Sequence, residues 1–192
     1  MNLPDDEVRA VRALIDFLYR GSIPRSSDTT MASVSKAANE LLSLYILAEK
    51  ICMPELMDRT IDELAANCSK GNIQLGDSAI KKVYKNTQES SKLRAYCVAA
   101  STCCMAFVDN VDDAWCDKRT QISETCPEFF VDTFRFLAKN LKNLSAYGHR
   151  RAFDLLHSIA GSCSFHTHRK NEDCYLKIAS REFEDSKDST FA

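Results

Sequence analysis

Apolar residues recur at intervals of three and four along most of this chain of 192 residues. Val8, Val11, Ile15 and Leu18 are a clear case, because this spacing places them on one side of an α-helix. Only five glycines and four prolines interrupt the chain, which favours helices over a sheet of many strands. The sequence therefore predicts a mainly α fold with minimal strand content.

Glycine and proline mark where the first helices should begin and end. Gly21 is expected to end the first helix, and Pro54 to open the third, where its missing amide hydrogen costs nothing. Gly71 is expected to end that third helix. Residues 25–36 are rich in Ser and Thr and are predicted to be an exposed loop, with a second, largely buried helix over 37–51.

Further helices are predicted downstream. Shorter ones should lie near 77–84 and 91–107, and residues 125–128 (TCPE) have the spacing of a capping box. The helix behind that box carries an apolar stripe made by Phe130, Phe134, Leu137 and Leu141. Trp115, Phe129 and Phe130 are expected in the core, and a role as interface anchors is the alternative. The helical pattern fades from about residue 145, and the last twelve residues are predicted to be a solvated tail.

Composition narrows the class of protein. The net charge of −2 gives no basic excess for a nucleic acid or a membrane surface, and no apolar run approaches the 20 or so residues of a membrane span. The first ten residues are acidic rather than basic, so no signal peptide is predicted and an intracellular location, cytoplasmic or nuclear, is expected. The nine cysteines are then expected to be mostly free thiols.

Three segments, in this order, resemble the BTB/POZ domain in the divergent form found in filamentous fungi. They are residues 15–23 (IDFLYRGSI), 42–56 (LSLYILAEKICMPEL) and 83–87 (VYKNT) followed by 91–94 (SKLR). The resemblance implies the helical second half of that domain over 3–75, a helical extension over 76–144, and a weakly ordered tail with a Cys/His cluster over 145–192. The first half of such a domain is absent from the sequence, so the resemblance suggests a truncated domain.

The resemblance also implies a function. BTB-like proteins act as adaptors or scaffolds, so we expect a protein–protein interaction module whose partners are other proteins, a second copy of itself or a cullin-type ligase scaffold. Four charged residues of the third helix are predicted to face outward and to bind such a partner: Glu55, Asp58, Arg59 and Asp62. Catalysis is not expected, because the sequence contains no glycine-rich nucleophile turn or phosphate loop.

One cluster near the C-terminus has metal-binding chemistry. Cys163, His166, His168 and Cys174 supply two thiols and two imidazoles with the spacing C-x2-H-x-H-x5-C. Zinc favours such a set in a tetrahedral arrangement, although this spacing differs from that of a standard zinc finger. The alternative is a surface segment in which these residues have no shared role. A zinc-binding regulatory protein is therefore the second hypothesis, and zinc is the one cofactor considered.

Overall fold

The computed structural model describes residues 8–23, 25, 28, 30–71, 73–105, 120–146, 156, 163–168 and 172–176. Within these ranges six helices have defined ends: α1 (Val8–Arg20), α2 (Met31–Lys50), α3 (Pro54–Gly71), α4 (Asp77–Asn86), α5 (Lys92–Met105) and α6 (Pro127–Ala146). Residues 120–125 are also helical, and no strand occurs in the described ranges. The predicted mainly α fold is confirmed. None of the described helices is long and apolar enough to cross a membrane.

The predicted ends of α1 and α3 are confirmed. Gly21 follows α1 with a left-handed backbone (φ 63°), and its amide donates to the carbonyl oxygen of Phe17 at 2.8 Å. Pro54 is the first residue of α3 and Gly71 the last. A Cβ atom on Gly71 would lie 2.6 Å from Cγ1 of Val34, so the packing of α3 on α2 requires glycine at this position.

The predicted loop over 25–36 is wrong in its second half, because α2 already begins at Met31. Thr30 caps this helix, and its side chain accepts a hydrogen bond from a backbone amide of the first turn. Val34 is fully buried, and the side-chain amide of Asn67 in α3 donates to the carbonyl oxygen of Val34 at 2.9 Å. Among the Ser and Thr residues that suggested a loop, Thr30 therefore caps the helix, and Ser33 and Ser35 are half-buried within it.

The hairpin of α2 and α3 forms the centre of the fold. Every residue from 41 to 48 of α2 is buried, as predicted from its nearly continuous apolar surface. Leu47 and Leu56 are both fully buried. A three-residue turn joins the helices, and the amide of Met53 in this turn donates to the carbonyl oxygen of Ala48 at 2.9 Å. The hairpin therefore provides the apolar base on which α1 and α4 pack.

The second half of the fold joins the same core. The ring of Tyr84 in α4 meets the ring of Phe129 in α6 edge to face at 5.6 Å, and its hydroxyl donates to Asp132 at 3.0 Å. Arg94 of α5 donates to the carbonyl oxygens of Tyr84 and Thr87, each at 2.6 Å. Buried side chains from the predicted segments 3–75 and 76–144 form one hydrophobic cluster.

The apolar stripe of α6 faces away from this core. Phe130, Phe134, Leu137 and Leu141 are all exposed, so the expectation that Phe130 belongs to the core is wrong. Phe129 is buried, as predicted, and Trp115 lies outside the described residues. The stripe on α1 behaves in the same way, since Val8, Ile15 and Leu18 are exposed while Ala10 and Ala13 are buried.

The described residues of the predicted tail pack against the helices. Residues 163–168 and 172–176 contain two nearly fully buried side chains, His166 and Cys174, and Phe165 packs against the main core. The last twelve residues, predicted to be solvated, lie outside the described residues.

Candidate metal centre

A turn brings the first two predicted zinc ligands together. Residues 163–165 form this turn, and the backbone amide of His166 donates to the carbonyl oxygen of Cys163 at 3.2 Å. The imidazoles of His166 and His168 lie edge to face with their centres 5.4 Å apart. Cys174 returns to the same point, and one ligand atom from each of the four residues lies within 4.8 Å of the other three.

This separation is close to that of a metal-bound set. Metal–ligand distances of about 2.0–2.3 Å in a tetrahedron place neighbouring ligand atoms about 3.3–3.8 Å apart. Nδ1 of His166 and Sγ of Cys174 are already 3.4 Å apart. The structure therefore brings together all four residues that the sequence singled out, with one ligand atom of each within 4.8 Å of the others.

His166 connects the cluster to α3. Its Nδ1 faces Cys174, while its Nε2 lies 2.9 Å from Oδ1 of Asp62. The residue is only 2% exposed. Burial lowers the pKa of His166, but the hydrogen bond to Asp62 and the negative charge of that carboxylate outweigh it, so the pKa lies above its ordinary value.

Neighbouring residues also hold this segment on α3. Thr167 donates to Oδ1 of Asp58 twice, from its backbone amide at 2.5 Å and from its hydroxyl at 2.8 Å. The hydroxyl also lies 3.3 Å from the carbonyl oxygen of Pro54. The hydroxyl of Tyr175 donates to Oδ2 of Asp62. Asp58 and Asp62, one helical turn apart, thus bind the two sides of the cluster segment.

Apolar and cationic contacts complete the docking. The ring of Phe165 meets the buried ring of Tyr96 in α5 edge to face at 5.5 Å. Lys92 at the start of α5 donates to the carbonyl oxygen of Ser164 at 3.3 Å. The guanidinium of Arg59 lies over the ring of Tyr175, 4.9 Å from its centre. The segment is therefore held by both α3 and α5.

These contacts correct the expectation that the charged residues of α3 face solvent for three of the four, Asp58, Arg59 and Asp62. Asp58 is only 3% exposed, and Asp62 and Arg59 contact the C-terminal segment of the same chain. Glu55 is the most exposed of the four, and it forms a salt bridge with Arg59 at 2.8 Å. The physical reason is that a buried carboxylate needs donors, and residues 166, 167 and 175 supply them.

The thiol of Cys174 lies in an environment unfavourable to a free thiolate. The residue is 3% exposed, and burial raises its pKa above the ordinary value. Cys174 contacts His166, which in turn contacts Asp62. The same order of contacts occurs in enzymes where a thiol nucleophile has a histidine base and a carboxylate that orients the base. A catalytic thiol needs access and a lowered pKa, whereas this one has neither. Coordination to a cation would stabilise the thiolate without requiring access.

Several other cysteines in the described ranges are small buried side chains. Cys97 and Cys103 are buried among apolar neighbours, and burial raises the pKa of Cys68 to about 12. Cys52 is exposed, lies in the turn between α2 and α3, and is not one of the four clustered residues.

Sequence reasoning missed three residues of this site in their actual role: Asp58, Asp62 and Tyr175. No family model, curated protein or solved structure matches this chain. The likeness to BTB/POZ domains therefore stays an expectation from the sequence motifs, and the function has to be argued from the geometry.

Proposed function

We propose that this chain is a helical protein-interaction module, an adaptor or scaffold of the kind the BTB/POZ resemblance implies, without catalytic activity of its own. One observation carries the proposal. The face of α6 that points away from the core carries five large apolar side chains that are exposed.

The composition of the two faces of α6 supports this proposal. The inward side includes Phe129 and Phe136 but also the polar side chains of Asp132 and Asn140. The outward side carries the exposed apolar residues Phe130, Val131, Phe134, Leu137 and Leu141, with the exposed charged residues of the helix beside them. An amphipathic helix normally buries its apolar stripe, and contiguous exposed apolar patches mark surfaces that bind another protein.

A second apolar patch on α1 adds to this argument. Ile15, Leu18 and Tyr19 are exposed there, and Tyr19 is 86% exposed. The charged face of α3, by contrast, already binds residues 166, 167 and 175. We therefore place the partner surface on the apolar stripe of α6, and not on Glu55, Asp58, Arg59 and Asp62.

The proposal is tested with the full chain and two variants of equal charge change. Phe134→Glu combined with Leu141→Glu adds two negative charges to the stripe, while Lys139→Glu makes the same change on α6 outside it. Self-association is measured by light scattering over a range of concentrations. Binding of other proteins is measured by quantitative capture from a cell extract.

We expect Phe134→Glu/Leu141→Glu to abolish self-association or the capture of a specific partner, and Lys139→Glu to retain either. Helix content by circular dichroism should be the same for all three proteins, because the changed side chains are exposed. If the stripe variant behaves as the wild type does in both assays, the proposed partner surface is wrong.

A second function, that of a zinc-binding regulatory protein, is favoured by the convergence of the four Cys and His ligand atoms. It is compatible with an interaction module, because a metal can hold a segment in place without taking part in a reaction.

A further inference from the structure

We propose that Cys163, His166, His168 and Cys174 bind one structural zinc ion, and that Asp62 of α3 is the carboxylate that orients His166 toward it. The first argument is the ligand set. Two thiols and two imidazoles lie within 4.8 Å of one another, and such a set in a tetrahedron suits zinc. All four positions are filled by the chain, which is typical of a structural site and leaves no position for a substrate.

The second argument is independent of the cluster's composition. Metal-binding histidines commonly donate their other ring N–H to a carboxylate, which fixes the tautomer and the ring orientation. Asp62 lies 2.9 Å from Nε2 of His166, so the proton belongs on Nε2. Nδ1, which faces Cys174 at 3.4 Å, is left with its lone pair directed into the cluster. An orienting carboxylate on one ring nitrogen, with the other ring nitrogen facing a thiol, is the arrangement expected of a metal-binding histidine.

A disulfide between Cys163 and Cys174 is the competing explanation for two sulfur atoms at this distance. The structure does not join these two cysteines by a disulfide bond. A disulfide also leaves unexplained why two imidazoles share the same small volume and why one of them is oriented by Asp62. With zinc, each thiol releases its proton to solvent and both sulfurs become metal ligands, so no oxidant is needed.

The proposed ion would join the C-terminal segment to α3. Its ligands come from 163–174, and the hydrogen bond from His166 to Asp62 passes the constraint to the helix. Asp62 is then a positioning residue and not a ligand. Its removal should weaken binding about 10–100-fold, because that is the usual effect of losing such a partner, while the stoichiometry stays at one ion per chain.

The test uses the full chain, stripped of metal under reducing conditions and titrated with zinc alone against a chromophoric competitor. Four proteins are compared with the wild type: Cys163→Ser, Cys174→Ser, Asp62→Asn and Cys52→Ser, the last as a control because Cys52 is exposed and lies outside the cluster. We expect one zinc ion per chain in the wild type and in Cys52→Ser, its loss in the two cluster variants, and weaker binding with unchanged stoichiometry in Asp62→Asn.

A second measurement needs no variant and so does not depend on how the variants fold. Cobalt bound in place of zinc should give the visible absorption of a tetrahedral ion and a thiolate charge-transfer band. The proposal is overturned if the wild type binds no zinc, if Cys163→Ser and Cys174→Ser bind it as tightly as Cys52→Ser does, or if the cobalt spectrum is octahedral. It is also overturned if mass spectrometry finds Cys163 and Cys174 joined as a disulfide in freshly purified, unoxidised protein.

Discussion

Asp58 carries a carboxylate although the residue is almost completely buried. A buried carboxylate is costly unless donors surround it, and Thr167 supplies two, from its amide and its hydroxyl. The charge of Asp58 suggested a solvated face in the sequence, because charged residues on a helix are usually exposed. Its donors are 109 residues away in the chain, so no local pattern could indicate them.

Replacing Asp58 should reveal this role. We expect Asp58→Ala to lower the free energy of unfolding by about 1.5–3 kcal/mol, because it removes hydrogen bonds to a charged group and leaves the amide of Thr167 unsatisfied. Chemical denaturation followed by circular dichroism measures the loss. Glu55→Ala is the control on the same helix, and its exposed salt bridge should contribute no more than about 1 kcal/mol. Equal effects for both variants would contradict the buried role of Asp58.

At the scale of the helices, the spacing of apolar residues predicted where helices occur better than it predicted which side of each helix is buried. The ends of α1 and α3 followed from Gly21, Pro54 and Gly71, whose backbone requirements are local. The start of α2 did not, because Ser and Thr serve both in loops and as helix caps. The stripe on α6 showed a helix correctly but not which side packs, since burial depends on neighbours distant in sequence.

The α2–α3 hairpin offers a direct test at this scale. Leu47 is fully buried, so Leu47→Ala should reduce the free energy of unfolding by about 2–5 kcal/mol through lost burial and the cavity left behind. Leu18→Ala makes the same chemical change on α1 at a residue that is 60% exposed, and we expect it to stay within about 0.5 kcal/mol of the wild type. Denaturation midpoints of the two variants that coincide would contradict the central place of the hairpin.

Across the whole molecule, the C-terminal segment closes the longest loop that the described contacts define. Hydrogen bonds join Asp62 to His166 and Tyr175, which lie 104 and 113 positions later in the chain. Closing so long a loop has a large entropic cost, which favourable local contacts must offset. The four Cys and His residues of the cluster could be named from the sequence because their types and spacing are local. The surface that receives them is formed only in the folded chain.

Metal removal should therefore raise amide exchange in the cluster segment and on the face of α3 that contacts it, but not in the core of α2. If zinc holds the segment on α3, chelation at constant pH should raise amide hydrogen exchange at residues 163–176 and along the Asp58–Asp62 face of α3. The buried stretch 41–48 of α2 should keep its protection, because its contacts are apolar and do not involve the cluster. The melting temperature should fall as well, since a ligand at 100 times its Kd stabilises the native state by about 2.7 kcal/mol.

The Cys174→Ser protein provides the matched comparison: its exchange pattern should already resemble that of the chelated wild type and should not respond to chelator. A uniform rise in exchange across α2 and α3 would mean that the segment is needed for the whole core, and an unchanged pattern would mean that the metal does not hold it.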